Sequence, residues 1–310
     1  MRPCHRFMPV FVILSCWATG LSAQDRFPVQ RLTFDPAQEG FPSWSPDGAT
    51  IVYSYVERRD SGFVAGLHTI LSAGGEPRWL TGEIGEHPNW SRDGYYIVFD
   101  AEFGTSVRMI SAHGGLPVRI VPASIPVSSG GNPIWSPDGS RIAFKAGADL
   151  WVLDVRTGEA KAIFTRAGMK AIPGCWGADG ASVYFTLRDA AAELPGSSIM
   201  ETLVDGDEYR EVRPAGEHRY RYMDLSPDGS LLAFVQCEGR NCDLWVMPAG
   251  GGPAVQLTMH PGYDDTPRWS PDGTRIAFTS TRTNNFDVWV MTLDLDVLRA
   301  ALDEAGGNDQ

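Results

Sequence analysis

Trp269-Ser270-Pro271-Asp272-Gly273 is one of six copies of a five-residue unit that recurs along the chain. The other copies are Trp44-Ser45-Pro46-Asp47-Gly48, Trp90-Ser91-Arg92-Asp93-Gly94, Trp135-Ser136-Pro137-Asp138-Gly139, Trp176-Gly177-Ala178-Asp179-Gly180 and Leu225-Ser226-Pro227-Asp228-Gly229. Their final glycines are spaced 41 to 49 residues apart. Proline restricts φ, aspartate bonds to nearby backbone, and glycine tolerates the positive φ that closes a hairpin. Six such units at this period predict a β-propeller.

Short runs of β-branched and aromatic residues flank every copy of the unit. After Gly273, for example, come Arg275–Thr279 and then Asp287–Met291. Runs of this kind, bounded by Gly, Pro and Asp, are typical of β-strands. A Leu-Thr tail such as Trp79-Leu80-Thr81 ends the predicted fourth strand. The sequence therefore predicts an all-β protein with six four-stranded blades.

The two ends of the repeat region predict how the ring closes. Residues 28–33 end in the fourth-strand form Arg31-Leu32-Thr33, although no first, second or third strand precedes them. The sixth repeat lacks a fourth strand, and its Leu295, Leu298 and Leu302 have helical spacing. We expect residues 28–33 to pair with blade 6, because closure removes exposed sheet edges. The propeller is predicted over residues 24–293, followed by a short helix and tail over 294–310.

The repeated unit resembles that of a known family, the TolB C-terminal β-propellers. The resemblance is carried by Pro-x-Trp-Ser-Pro-Asp-Gly, Ile-Ala-Phe, Asp-x-Trp-Val-Met and Leu-Thr, and covers about residues 28–293. It implies a non-enzymatic scaffold in the cell envelope that binds a protein or ligand, with a Pal-like lipoprotein as partner. The family carries an α/β domain before its propeller. Here residue 24 leads almost directly into the predicted closing strand, so we expect that domain to be lacking.

An enzyme is the alternative that the sequence leaves open. Propellers also host extracytoplasmic lyases and hydrolases, which would act on a sugar or peptide at the channel mouth. The chain contains no Gly-x-Ser-x-Gly, no His-Glu-x-x-His and no P-loop motif, and its histidines are scattered singly. We therefore predict no catalytic residues, no cofactor and no metal ligands.

The first 23 residues are predicted to be a secretory signal peptide. Arg2 and Arg6 precede the mostly apolar stretch 8–16, and Ala23 suits cleavage after a small residue. In an alternative interpretation, Cys16 is acylated and anchors a lipoprotein. Either form predicts a periplasmic or secreted protein without a membrane span.

Charge and cysteine content narrow the expected partners and the redox state. The net charge of −12 disfavours binding to a nucleic-acid backbone. We also expect the protein to be a monomer. Cys237 and Cys242 flank a short predicted hairpin and are candidates for a disulfide in an oxidising compartment. Cys175 is expected to be a buried free thiol.

The candidate binding site is a ring of residues at one end of the propeller channel. Positions three and four before each Trp, or before its Leu equivalent, precede the first strand of each blade and should converge there. These candidates are chemically rich: Glu86, His87, Asn132, Arg221, Tyr222, Asp265 and Thr266. In the alternative interpretation, they only bond backbone groups of the neighbouring blade. The cluster 217–222 is likewise either an arginine ladder stacked on tyrosines or a lining of the mouth.

Overall fold

The computed structural model describes residues 25–60, 62–127, 130–192 and 196–307. The predicted signal peptide and Cys16 lie outside these residues, so both interpretations of the N-terminus stay predictions. Within the described ranges, no helix has the length and apolar character needed to cross a membrane.

The described chain consists of twenty-four strands and one helix. In chain order, the closing strand and blades 1 to 3 are β1 (Val29–Arg31), β2 (Gln38–Trp44), β3 (Thr50–Arg59), β4 (Gly62–Leu71), β5 (Arg78–Thr81), β6 (Gly85–Trp90), β7 (Tyr96–Ala101), β8 (Ser106–Ser111), β9 (Val118–Arg119), β10 (Ile134–Trp135), β11 (Arg141–Ala146), β12 (Asp149–Asp154) and β13 (Ala160–Phe164). Blades 4 to 6 and the helix follow as β14 (Met169–Trp176), β15 (Ser182–Asp189), β16 (Ser197–Leu203), β17 (Tyr209–Arg213), β18 (Arg219–Leu225), β19 (Leu231–Glu238), β20 (Asn241–Pro248), β21 (Val255–Gln256), β22 (Asp264–Trp269), β23 (Arg275–Ser280), β24 (Asp287–Thr292) and α1 (Leu295–Gly307).

The strands form six antiparallel four-stranded sheets, which confirms the predicted six-bladed propeller. Blades 1 to 5 each use four consecutive strands, from β2–β5 to β18–β21. Blade 6 consists of β22, β23 and β24 with β1 on its outer edge, and Gln30 is paired with Val290. The expected closure by the N-terminal strand is therefore confirmed.

The five-residue unit forms the turn between the first and second strands of each blade. In blade 6, the Ser270 hydroxyl donates to Asp272 Oδ1 over 2.5 Å, and the same oxygen accepts the Thr274 amide over 3.0 Å. Gly273 has φ of 70°, a conformation that favours glycine. Trp44 Nε1 donates across the blade boundary to the Arg268 carbonyl at 3.0 Å. Each unit thus closes its own hairpin, and the Trp side chains of the blade 1 and blade 4 units bond across a blade boundary.

Apolar side chains between neighbouring blades form the core. The aromatic residue of each second strand is fully buried: Tyr53, Phe99, Phe144, Phe185, Phe234 and Phe278. On α1, Leu298 and Leu302 are buried against the core of blades 5 and 6, as their spacing predicts. A disulfide joins Cys237 on β19 to Cys242 on β20, while Cys175 is free and buried.

Candidate functional site

An unusual backbone conformation builds the channel mouth. In five blades, the residue three positions before the Trp, or before Leu225 in blade 5, has a φ between 26° and 54°: Phe41, His87, Asn132, Tyr222 and Thr266. Few residues other than glycine adopt positive φ. The sheet register also shifts at this point in blades 1, 2, 5 and 6. Bulges of this kind redirect side chains, and here they direct them towards the mouth.

Blade 4 has a different residue at the corresponding position. Pro173 stands there, and its ring holds φ negative. The register shift falls instead between Pro173 and Cys175.

A second ring of residues, missed by sequence reasoning, lies directly beside the first. This ring is formed by the residue that directly follows the fully buried aromatic of each second strand. It pairs across the sheet with the first-strand residue that lies four positions before the Trp, or before Leu225 in blade 5. The pairs are Gly40 with Ser54, Glu86 with Asp100, Ile172 with Thr186, Arg221 with Val235 and Asp265 with Thr279. Paired residues point to the same face of a sheet. The available signal was the position directly after the last residue of Ile-Ala-Phe or its equivalent in each repeat, where blade 3 has Lys145.

Three aromatic side chains meet across the channel, and we call them the mouth bridge: Phe41, His87 and Tyr222. His87 Nε2 lies 3.2 Å from the Tyr222 hydroxyl, although the residues are 135 positions apart. They belong to blades 2 and 5, which stand opposite each other in a six-bladed ring. The Phe41 ring lies 4.1 Å from the His87 ring. The mouth bridge therefore spans the channel and divides its mouth.

Asp100 fixes the orientation of His87. Its Oδ2 lies 3.0 Å from His87 Nδ1 and accepts the Asn132 amide over 3.3 Å, and the side chain is 1% exposed. Burial raises the pKa of Tyr222 to about 12, so its hydroxyl stays protonated at neutral pH. A neutral His87 that donates through Nδ1 to Asp100 can accept this hydroxyl proton at Nε2. The result is a hydrogen-bond chain from Asp100 through His87 to Tyr222.

Arg221 and Asp265 form an ion pair beside the mouth bridge. Arg221 Nη2 lies 3.3 Å from Asp265 Oδ2, and its guanidinium also donates to the Tyr263 hydroxyl. Burial raises the pKa of the Asp265 carboxyl, and the charge of Arg221 opposes that shift. Thr266 Oγ1 lies 2.7 Å from Thr279 Oγ1. Arg221, Asp265 and Thr266 therefore hold the rim together at the junction of blades 5 and 6.

On one side of the mouth bridge lies a cavity of about 520 Å³, which we call the basic cavity. Five cationic side chains from blades 3 to 5 line it: Lys145, Lys170, Arg188, Arg219 and Arg221. Glu86 is the one carboxylate among its described lining residues. Burial lowers the pKa of Lys145 to about 8, and the neighbouring charge of Lys170 adds to this effect. This concentration of positive charge stands out in a chain with a net charge of −12.

A smaller cavity of about 250 Å³ lies on the other side of the mouth bridge, and we call it the acidic cavity. Glu39, Glu86 and Asp265 line it, and its described lining contains no Lys or Arg. Glu86 borders both cavities and is exposed. Partial desolvation by the surrounding protein raises the pKa of its carboxyl, and the negative charge of Asp100 adds to this shift. The described lining of the mouth therefore places cationic side chains on one side of the bridge and carboxyl groups, without Lys or Arg, on the other.

One group of side chains in the described residues could supply metal ligands. Atoms of Glu86, His87 and Asp100 all lie within 4.8 Å of one another. In the structure, His87 uses both ring nitrogens in contacts with Asp100 and Tyr222. A cation that binds His87 would have to displace at least one of these contacts, and it would share Asp100 with Lys145, which already interacts electrostatically with that carboxylate. The arrangement of Glu86, His87 and Asp100 therefore fits a hydrogen-bond chain better than a metal centre.

The structure brings the seven residues predicted from the sequence together at one end of the channel. Their contacts differ from one residue to the next. His87 and Tyr222 meet directly, and Glu86 faces both cavities. Asp265 Oδ1 accepts the amide of Thr266, the next residue of the same blade, and not a backbone group of the neighbouring blade. Residues 219–222 line the basic cavity, and Arg221 also stacks over Tyr222 at 5.0 Å. Both interpretations of that cluster therefore describe part of its structure.

The chain is similar in sequence to TolB proteins, although no family model matches it. It is 36% identical to the Tol-Pal system protein TolB of Anaeromyxobacter dehalogenans over 132 residues. The match covers 41% of this chain and 28% of that relative. The chain thus spans less than a third of the length of that curated relative. The expected resemblance to TolB propellers is confirmed over this part.

Solved structures share the fold at low sequence identity. A putative TolB from Agrobacterium tumefaciens superimposes with a TM-score of 0.62 and 18% identity, over 88% of this chain and 99% of that one. An oligogalacturonate lyase from Vibrio parahaemolyticus gives a TM-score of 0.61 and 13% identity, over 87% and 96% of the two chains. Since such identities establish the fold alone, neither similarity assigns a function.

Proposed function

We propose that this protein is a non-enzymatic binding propeller of the cell envelope, which docks a segment of a partner protein at its channel mouth. One observation carries the proposal. Bulges in separate blades converge on a single mouth, where a hydrogen-bonded bridge separates two cavities of opposite charge. Concave sites with converging polar groups are the usual places for ligand binding.

The sequence similarity supports a protein partner. The relative with 36% identity is named for the Tol-Pal system, and a Pal-like lipoprotein is the partner that this resemblance implies. We further propose that the protein is periplasmic or secreted and acts as a monomer. The acidic net charge agrees with partners other than nucleic acid.

Mouth variants that keep the backbone unstrained test the proposal. Glu86→Ala removes an exposed carboxylate, and Asn132→Gly removes a side chain where φ of 45° suits glycine. Charge-assisted hydrogen bonds contribute about 1.5–3 kcal/mol, so we expect each variant to weaken partner binding about tenfold or more. The measurement is recovery of the partner after cross-linking in the native envelope, followed by titration of that partner.

Arg156→Ala in the turn after β12 is the control, and unfolding midpoints are recorded for all three variants. Normal partner binding by both mouth variants would contradict docking at the mouth. The same conclusion would follow if binding were lost only in proportion to a lower unfolding midpoint.

A second candidate function is a lyase that acts on acidic sugars. The chain from Asp100 through His87 to Tyr222 borders the basic cavity, where cations would neutralise a substrate carboxylate. In β-elimination, a base removes the proton next to the carboxylate, the bond to the leaving oxygen breaks, and a C=C bond forms. The leaving oxygen then receives a proton. The observed hydrogen-bond chain suits such proton movements.

Incubation with polygalacturonate tests this alternative. The binding function predicts no growth in the ultraviolet absorbance of an unsaturated product, with and without added manganese. Turnover that disappears in His87→Gln and persists in Arg156→Ala would instead establish the lyase.

A further inference from the structure

We infer that the docked segment is bipolar: it places acidic side chains in the basic cavity and a cationic side chain in the acidic cavity. The inference rests on the proposed function and specifies the chemistry of the partner. Its premise is that the mouth bridge separates a cavity lined by cations from a cavity lined by carboxyl groups. This difference is visible only when the two cavities are compared.

The cations of the basic cavity are held close together on neighbouring strands. Lys170 on β14 is paired directly with Arg188 on β15. Like charges opposite each other on a sheet are destabilising. Lys145 comes from β11 of the preceding blade and Arg219 from β18 of the next blade. The fold therefore maintains a repulsive arrangement that an anionic ligand would relieve.

Three of the five cations that line the basic cavity have no carboxylate partner in the described part of the chain. Among the residues that the structure describes, no carboxylate forms an ion pair with Lys170, Arg188 or Arg219, whereas Arg221 is paired with Asp265. Arg219 Nε is buried without a hydrogen-bond partner. The Arg219 guanidinium contacts Cys242 Sγ through Nη2 at 3.8 Å, so the protein provides it with no charged acceptor in the described residues, and an anionic ligand in the cavity would provide one. Carboxylates suit the fork geometry of arginine.

The acidic cavity favours a polypeptide over an acidic polysaccharide as the occupant. A polymer with a negative charge on every unit would gain in the basic cavity but would find no Lys or Arg in the described lining of the acidic cavity, where Glu86 is exposed and Glu39 and Asp265 are buried. A polypeptide presents both signs of charge within a few residues. Opposite potentials on the two sides of a docking surface also fix the direction in which the segment binds.

Fluorescent peptides provide the probes for a binding test on the full chain. One peptide carries four glutamates followed by two lysines, a second carries six glutamates, and unlabelled trigalacturonate serves as a competitor. We expect the mixed peptide to bind more tightly than the all-glutamate peptide, and trigalacturonate to compete poorly. Binding is measured by fluorescence anisotropy at low and high salt, because screening weakens such contacts.

Charge variants locate the binding site. The double variant Lys170→Glu/Arg188→Glu is expected to weaken binding of the mixed peptide more than tenfold. Lys170→Gln/Arg188→Gln serves as a second variant that introduces no new charge, in case the first fails to fold. The control Arg92→Glu/Arg156→Glu changes the net charge by the same amount as the first variant. Arg92 lines the opposite end of the channel, and we expect the control to bind nearly normally.

Each other outcome overturns the inference in a recognisable way. Equal losses in the cavity and control variants would assign binding to net charge alone. Tighter binding of trigalacturonate than of both peptides would assign the cavity to acidic sugars. A captured envelope protein that the mixed peptide cannot displace would leave the proposed function standing and refute the bipolar segment. Failure to capture any protein refutes the proposed function itself.

Discussion

Deletion of residues 25–33 is expected to open the propeller ring and to lower its free energy of unfolding by about 4 kcal/mol or more. The segment supplies β1 to blade 6 and buries Phe27 and Leu32. Burial of each such side chain contributes about 1.5–3 kcal/mol. Since small proteins are stable by only about 5–15 kcal/mol, we expect much of the shortened protein to unfold or aggregate.

The deletion also breaks a buried ion-pair network. Arg282 is 6% exposed and contacts both Asp25 and Asp264. Without Asp25 the remaining pair loses one carboxylate, and the exposed edge of β24 becomes available for pairing with another chain. Urea unfolding measures the loss of stability, and size-exclusion chromatography measures association with other chains.

Truncation after Leu302 is the matched control for this prediction. It removes a segment of similar length from the other terminus but keeps the buried Leu298 and Leu302. We expect a small change in stability and an elution volume close to that of the full chain. A shortened N-terminal variant with unchanged stability would contradict the role of β1 in closure.

Glu39→Gln is expected to stabilise the protein at pH 8 by up to about 3 kcal/mol. Glu39 lies on β2 and is 1% exposed, and neither carboxylate oxygen has a well-formed hydrogen bond in the described part of the chain. Burial raises its pKa from 4.5 to about 7, although the nearby Thr33 and Tyr53 hydroxyls lower it. One pKa unit corresponds to about 1.4 kcal/mol, so the shift sets the expected magnitude.

The sign of the pH dependence follows from proton binding. Between pH 4.5 and about 7, the folded state holds a proton on Glu39 that the unfolded state releases. Glu39 therefore destabilises the fold progressively as the pH rises through this window. Urea unfolding at pH 5 and pH 8 should show a large gain for Glu39→Gln at the higher pH and a smaller gain at the lower.

Glu76→Gln is the control, because Glu76 is an exposed glutamate between β4 and β5. It should change stability little at either pH. A Glu39→Gln protein that is less stable than the wild type at pH 8 would show that the carboxylate makes favourable contacts in its charged form.

The sequence by itself determines the repeat architecture. Turn, strand and blade are local: Ser270, Asp272 and Gly273 close their hairpin with bonds that span five residues or fewer. The missing fourth strand of blade 6 and the fourth-strand tail at residue 33 also predict closure. The repeat even indicates the ring of mouth residues, because the same position in every blade faces the same end of the channel.

Only the tertiary structure decides what these mouth residues contact. His87 and Tyr222 meet because a six-bladed ring places blades 2 and 5 face to face, and no local pattern encodes that distance. Asp100 and Lys145 occupy corresponding positions in the repeat, but one holds His87 and the other lines the basic cavity. Bulge geometry sets which strand positions face the channel. The separation of charge across the mouth arises from side chains of several blades, so it exists only once the ring has closed.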